Sequence, residues 1–267
     1  MKQPANKFED KSENFEAKKH FDDQYTAPTP VRFYHEVLSK ATLDMGSRDV
    51  VLSKYVERNF LNMFNDWAKI DLDGKKLKVV DFMTSYGNTT LSLTRCFNQD
   101  DFKCWSKEET CYNLKKERQF PCVTYGFDLS EPAIKYALKA KIFDVAETLN
   151  LNSMTPERER EIAEHIRSSN ITSINSFGYQ SDETPTKVIK WFAEGTAPGL
   201  LILGFSSPYD GLERVRIWKK LALEKLDFFD NFPCKQRNMT KEEEEFCFKE
   251  YGIADTTFAE YWFLLRK

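Results

Sequence analysis

Two aspartates stand where a carboxylate can do chemistry. Asp81 closes the apolar run "KLKVVD" at 76–81 and is followed by "FMTSYGN"; Asp128 closes "YGFD" and is followed by "LSEPAIKYA". A carboxylate at the carboxyl end of a strand can accept hydrogen bonds from both hydroxyls of a ribose, and open parallel sheets bind ligands along that edge. The loop after Asp81 holds one glycine, Gly87, where nucleotide-binding loops commonly have three. Close approach of backbone to a pyrophosphate needs those glycines, so this loop points to a nucleoside without a diphosphate. Ser130-Glu131-Pro132 then reads as a helix start, with serine as cap and proline in the first turn. Either aspartate alone serves equally well as a turn former or cap. The pair, in order within one sheet, indicates a nucleoside site.

Groups able to move a proton are few. The histidines are His20 in "KKHFDDQY", His35 beside Tyr34, and His165 in "IAEHIRSS", which reads as a helix surface. His20, Tyr25 and Tyr34 are candidate catalytic groups near the N-terminus; each reads equally as an exposed or packed residue. Four of the six cysteines, at 96, 104, 111 and 122, follow a C-x7-C-x6-C-x10-C spacing. Zinc sites favour C-x2-C pairs, so reduced thiols and no metal are expected.

The elements that must position these residues alternate. Helical spacing covers 31–44 and 48–68, and "DLDG" at 71–74 makes a turn. Strands are expected near 77–83, 122–128, 171–175 and 199–206, with a short one at 147–151. Helices are expected near 88–97, 131–141, 184–194 and 211–223, with another opened by Thr155 and Pro156. "KLDFFDNF" looks extended, "TKEEEEFCFKEYG" is a short helix ending at Gly252, and "TTFAEYWFLLRK" is a last strand. Strand–helix alternation implies a parallel sheet covered on both faces.

Composition narrows the function. The 267 residues suit one large α/β domain, and 41% hydrophobic with 30% charged is a globular balance. With Lys+Arg 39 against Asp+Glu 42, the net charge of −3 argues against a grip on nucleic acid phosphates. The charged N-terminus has no apolar core of a secretory signal, and no run approaches 18 apolar residues. A cytoplasmic protein with no membrane span is expected. The 22 phenylalanines imply an aromatic core or a ring-lined pocket.

The chain resembles the class I S-adenosylmethionine-dependent methyltransferases. Their first motif is D/E-x-G-x-G-x-G; set on Asp81, its glycine positions become Met83, Ser85 and Gly87. "DFMTSYGNTTLSL" resembles the D-x-x-x-S-Y-G loop of a bacterial-type subgroup. "GFDLSEPAIKYALKAKIFD" resembles that subgroup's G-x-D-x-S-x-x-A-x-x-Y-A motif. "YTAPTPVRFYHEVL" and "FPCKQRN" resemble its lead-in and a late F-x-x-x-R segment, so the likeness spans about 25–267. The resemblance implies a Rossmann-like, seven-stranded, mostly parallel sheet with an antiparallel last strand and helices on both faces. It divides the chain into a flexible segment 1–24, a helical lead-in or lid 25–70, and the methyltransferase domain 71–267 with an insertion at 97–121.

The implied cofactor is S-adenosyl-L-methionine, which has no phosphate and tolerates a glycine-poor loop. Asp81, Ser85, Tyr86, Gly87 and Asn88 would line its methionine and ribose side. Asp128 would bind the ribose hydroxyls, Leu129 would sit against adenine, and Ser130 would complete that turn. Asn150 stands where relatives place an acid for the adenine amino group. Ser176, Phe177 and Tyr179 follow the fourth strand, where substrate and cofactor meet; Tyr179 joins the candidate catalytic groups. The implied function is methyl transfer to a small molecule. The alternatives are a methyltransferase-like protein that binds cofactor or partner without turnover, and a nicotinamide-dependent oxidoreductase.

Overall fold

The structure is a computed structural model and describes residues 26–39, 48–71, 76–175, 183–207, 212–238, 245, 248 and 256–267. Seven strands form one sheet: β1 (Leu77–Phe82), β2 (Cys122–Asp128), β3 (Val145–Thr148), β4 (Ile171–Asn175), β5 (Leu200–Ser207), β6 (Leu226–Asn238) and β7 (Thr256–Arg266). Their order is β3-β2-β1-β4-β5-β7-β6. Strands β1 to β5 pair in parallel, and β7 runs antiparallel to both β5 and β6. This is a doubly wound Rossmann-like sheet with an antiparallel last strand wedged between the fifth and sixth. Strand order reverses between β1 and β4, and such a switch point opens a crevice at the strands' carboxyl ends.

Strand alternation sends successive side chains to opposite faces. On one face Val80, Phe82, Ile174, Leu201, Leu203 and Phe205 are buried under α7 (Pro156–Arg167), α8 (Glu183–Ala193) and α9 (Leu212–Lys225). On the other, Leu77, Val79, Ile171, Leu200, Ile202 and Phe263 meet α2 (Arg48–Asn59), α3 (Leu61–Asp66) and α4 (Asn88–Arg95). Fully burying side chains of this size contributes about 1.5–3 kcal/mol each. Residues Leu52, Val56, Phe60, Phe64 and Ala68 are all at or below 3% exposure, so 48–71 forms a core layer on the sheet. A third cluster is aromatic. Phe33, Tyr34, Tyr86, Phe102, Trp105 and Tyr136 join α1 (Val31–Phe33), α5 (Gln99–Phe102) and α6 (Glu131–Lys139).

Local chemistry sets the helix starts. Thr155 Oγ1 accepts from Arg158 N at 3.3 Å with Pro156 at the first position, and Ser130 Oγ accepts from Ala133 N at 3.3 Å. Asn98 and Asp101 form a reciprocal capping box at α5.

Several expected boundaries move. Of the helix expected over 31–44, the described part runs to Leu38, its second half a wide π turn, Tyr34–Leu38, and residues 40–44 lie outside the described residues. The helix expected over 48–68 breaks at Phe60, whose φ of −117° caps α3. The strand expected at 147–151 is Val145–Thr148, and Asn150 falls in the turn beyond it. His165 is half-buried, with its ring 5.0 Å from that of Tyr125 and 5.9 Å from that of Phe127, rather than on an open helix surface. The segment 1–24 and most of the short helix expected before Gly252 lie outside the described residues. Among the described residues no helix is long and apolar enough to cross a membrane.

Candidate functional site

At the switch point the sheet face under α4 changes character. Along β1 it reads Leu77, Val79, Asp81; along β4 it reads Ile171, Ser173, Asn175; along β5 it reads Leu200, Ile202, Gly204. The amino-terminal half is apolar and the carboxyl edge is polar. Asp81 is fully buried at the hub of that edge. Its Oδ2 accepts from Thr84 Oγ1 and Thr90 Oγ1, both at 2.8 Å, and its Oδ1 accepts from Ser173 Oγ at 2.5 Å. The Ser173 bond bridges the two strands that flank the crevice. Donors of this kind favour a carboxylate in its charged form.

Asp128 ends the neighbouring strand. Its Oδ2 accepts from Ser85 N at 2.7 Å and its Oδ1 from Ser130 N at 2.8 Å. Part of the residue stays open, yet the carboxyl group is hemmed in. Burial pushes its pKa up, against the backbone N–H groups of Ser130, Ser85 and Leu129, which pull it down. Both oxygens receive N–H donors, so an acceptor-only carboxylate fits and an asparagine amide does not. Consecutive loop residues thus fasten both acids: Thr84 holds Asp81 and Ser85 holds Asp128.

The loop's backbone is unusual. Met83, Ser85 and Gly87 have φ of 55°, 51° and 86°. Glycine adopts this left-handed region freely; other residues are strained in it. Two of these three positions, Met83 and Ser85, carry side chains, so the loop holds a left-handed backbone without the help of glycine there. At Gly87 a Cβ would also lie 2.7 Å from Ile142 Cγ2. Met83 N and Thr84 N donate to Phe127 O at 2.8 and 3.3 Å, which stitches the loop to the end of β2.

The other expected site residues divide. Leu129 is 68% exposed, an apolar side chain standing open beside Asp128. Asn88 is buried at the first turn of α4. Ser85 is 7% exposed, and its Oγ has no hydrogen-bond partner among the described residues. Tyr86 does not face the crevice. It is fully buried against Phe33, Trp105 and Tyr136, and its hydroxyl donates to Ala27 O at 2.8 Å. Asn150 is exposed, and its side-chain oxygen accepts from Asn152 N at 3.0 Å, closing a local turn. Tyr34 packs in the aromatic cluster, edge-on to His35, whose Nε2 lies 2.9 Å from Ser106 O. His20, Tyr25, Ser176, Phe177 and Tyr179 lie outside the described residues.

Thr84, Thr90, Ser173 and Asn175 were not singled out from the sequence. Ser173 and Asn175 have one visible signal, polar residues at alternate positions of β4, while Thr84 in the loop and Thr90 on α4 have none. The segment 26–38 is fastened to the insertion: Thr29 Oγ1 donates to Glu108 at 2.5 Å and Gln99 Nε2 donates to Leu38 O at 3.1 Å. Cys96, Cys104, Cys111 and Cys122 are free thiols, and among the described residues no group of His, Cys, Asp and Glu could hold a metal ion.

No protein-family profile matches the sequence, and no curated protein matches it. Among solved structures, the chain is similar to magnesium protoporphyrin IX methyltransferase (ChlM) from Synechocystis PCC 6803 with bound SAM, at 12% identity and a TM-score of 0.44, over 98% of this chain and 100% of that one. It is similar to phosphoethanolamine N-methyltransferase 2 of Haemonchus contortus, in complex with phosphomonomethylethanolamine and S-adenosylhomocysteine. There the identity is 12% and the TM-score 0.45, over 92% of this chain and 59% of that one. A TehB-like SAM-dependent methyltransferase from Corynebacterium glutamicum aligns at 9% identity and a TM-score of 0.38, over 79% of this chain and 97% of that one. Likenesses this distant say nothing of what the chain does, and the fold rests on its own strand order.

Proposed function

We propose that the protein is an S-adenosylmethionine-dependent methyltransferase that acts on a small molecule. The observation that carries this reading is the left-handed backbone at Met83, Ser85 and Gly87. Holding a non-glycine residue there costs about 1–3 kcal/mol, and such strain persists where function needs the shape. The shape aims Ser85 N at Asp128 and leaves Ser85 Oγ buried without a described partner. A polar cradle of this kind suits a nucleoside with an amino-acid tail.

In this reading Asp128 binds the ribose hydroxyls with the acceptor capacity that the two N–H bonds leave over. Leu129 lies against the adenine ring, and Ser85, Gly87 and Asn88 line the tail side. Tyr86 acts from behind, by holding the loop to the segment at Ala27. Ser176, Phe177 and Tyr179, which follow β4 in the sequence, are assigned to the site by the resemblance alone. Bound S-adenosylmethionine supplies an already activated methyl group. The chain's task is then to align an acceptor and exclude water, and positioning of that kind can lower a barrier by about 7–11 kcal/mol. His20, Tyr25 and Tyr179 stay as candidate bases. A small acceptor accords with the net charge of −3 and with the fastening of segment 26–38 to the insertion at 97–121.

Titration calorimetry with S-adenosylmethionine, S-adenosylhomocysteine and NAD tests this. Micromolar binding of the first two and no heat with NAD are expected, followed by labelled methyl products from a pool of small metabolites. Binding of NAD alone, or of none of the three, refutes it.

A further inference from the structure

The strained turn at Met83 and Ser85 is held in two ways. From the sheet, Met83 N and Thr84 N donate to Phe127 O, and Ser85 N donates to Asp128. The other hold is Tyr86. It stands between two left-handed residues, Ser85 at φ 51° and Gly87 at φ 86°, and its hydroxyl donates to Ala27 O at 2.8 Å. Strained backbone persists only where its surroundings hold it, so an anchor on Tyr86 helps to aim the neighbouring Ser85 N–H.

Ala27 belongs to a segment secured from elsewhere. Thr29 Oγ1 donates to Glu108 at 2.5 Å, His35 Nε2 lies 2.9 Å from Ser106 O, and Gln99 Nε2 donates to Leu38 O at 3.1 Å. The ring of Phe33 lies 6.0 Å from that of Tyr86 and 6.5 Å from that of Trp105. Those three bonds run to the insertion at 97–121. The segment adds no strand to the sheet; it consists of turns, the three residues of α1 and one π turn. A stretch tied by a few bonds and one ring cluster opens at lower cost than strands inside a sheet.

We propose that segment 26–38 is a strap whose docking is coupled, through the Tyr86 hydroxyl, to occupancy of the crevice at Asp128. Docked, the strap holds the loop in the shape that presents Ser85 N to Asp128. A ligand that fixes Asp128 and the loop holds the strap down in return. Such coupling is reciprocal: the factor by which the docked strap tightens the ligand is the factor by which the ligand tightens the strap. Tyr86 is here a positioning residue that acts through Ser85, and the inference rests on the cofactor reading above.

The test uses the full chain and its Tyr86→Phe variant, which keeps the ring and removes the link to Ala27. Calorimetry gives the affinity for S-adenosylhomocysteine, and hydrogen exchange with and without saturating ligand gives the opening of 26–38. One hydrogen bond of this kind represents a factor of about three to ten. In the unmodified protein the ligand should slow exchange over 26–38 by about that factor. In Tyr86→Phe the slowing should fall to within about twofold of none, and affinity should weaken by the factor so lost, within about twofold. A purely structural role would quicken exchange in the unliganded variant and leave the ligand's effect on 26–38 as it was, which overturns the inference. So does slowing over 26–38 that equals the slowing over β1 and β4, since the strap would then not open by itself. Should Tyr86→Phe not fold, the unmodified protein decides: no slowing over 26–38 overturns the coupling and leaves the cofactor reading standing. If the unmodified protein does not bind S-adenosylhomocysteine, the cofactor reading fails and the inference falls with it.

Discussion

Restoring glycine at Ser85 should stabilise the protein, against the usual cost of glycine. Ser85 sits at φ 51°. An L-residue in the left-handed region costs about 1–2 kcal/mol relative to its right-handed alternative. Glycine removes that strain and gives back about 0.5–1 kcal/mol through the extra freedom of the unfolded chain. The side chain itself matters little, because Ser85 Oγ has no described partner and its N–H, the donor to Asp128, is kept in any non-proline variant. The fair comparison is therefore Ser85→Gly against Ser85→Ala, which share the loss of the hydroxyl and differ only at Cβ. The glycine variant should be more stable by about 0.5–1 kcal/mol, which for a chain of this size is a melting point higher by about 2 °C. Urea denaturation and thermal melts of both variants measure it. An internal control is Arg160 on the exposed side of α7, where glycine should be less stable than alanine by about 1 kcal/mol. If Ser85→Ala equals or exceeds Ser85→Gly, the loop is not strained at this residue and the account of its shape is wrong.

Asp128 makes cofactor affinity and unliganded stability respond to acid in opposite ways. Its pKa is raised by burial, so the native state holds this proton more tightly than the unfolded chain, and acidification through that pKa stabilises the unliganded protein. The same protonation removes an acceptor for ribose, so S-adenosylhomocysteine should bind more weakly from above the ordinary carboxylate range downward. Both effects should vanish in Asp128→Ala, and a pH dependence of binding that survives there speaks against the assignment. Burial pushes the thiols of Cys96, Cys104 and Cys122 up to about 11. Iodoacetamide at pH 8 should therefore label them far more slowly in the native protein than in urea, as mass spectrometry would show; equal rates would contradict it. Arg266 donates from Nε to Phe192 O at 2.8 Å and from one terminal nitrogen to Ser169 O and Ala197 O at 3.2 and 2.5 Å. Arg266→Ala leaves those carbonyls without their guanidinium and should cost about 3 kcal/mol in urea denaturation. Arg266→Lys should recover little, because an ammonium cannot copy the planar fork; a loss under about 0.5 kcal/mol in the alanine variant would contradict this.

What could be read from the sequence follows from how local the signal is. β1 and β2 are largely apolar stretches that end near an aspartate, Asp81 and Asp128, and α6 and α7 announce themselves through Ser130, Thr155 and Pro156. Those cues act over a few positions, and the structure keeps them. β3 was misplaced because it is an edge strand with one buried residue, Ala146, while Leu149 and Leu151 give the apolar alternation from a turn. The break at Phe60 is silent because Phe60 is buried in the same cluster as Val56 and Phe64, so the apolar rhythm runs through it. Reading a motif in one dimension set Tyr86 in a ligand loop, but its hydroxyl belongs to Ala27, fifty-nine residues upstream. The hub around Asp81 needs the pairing of β1 with β4 before Ser173 can be seen beside it, and no local pattern supplies that register.

The change from apolar to polar along the face under α4 bears on how the chain assembles. A slip of β4 by two residues against β1 would keep every side chain on its own face, so the hydrophobic pattern alone would hardly oppose it. It would, however, set Asp81 beside Ile171 or Asn175 in place of Ser173, and strip the acid of the short hydroxyl bond it now receives. The acidic end of β1 thus works as a notch that admits a single alignment of the two central strands, and the error it penalises is one that greasy residues could not detect.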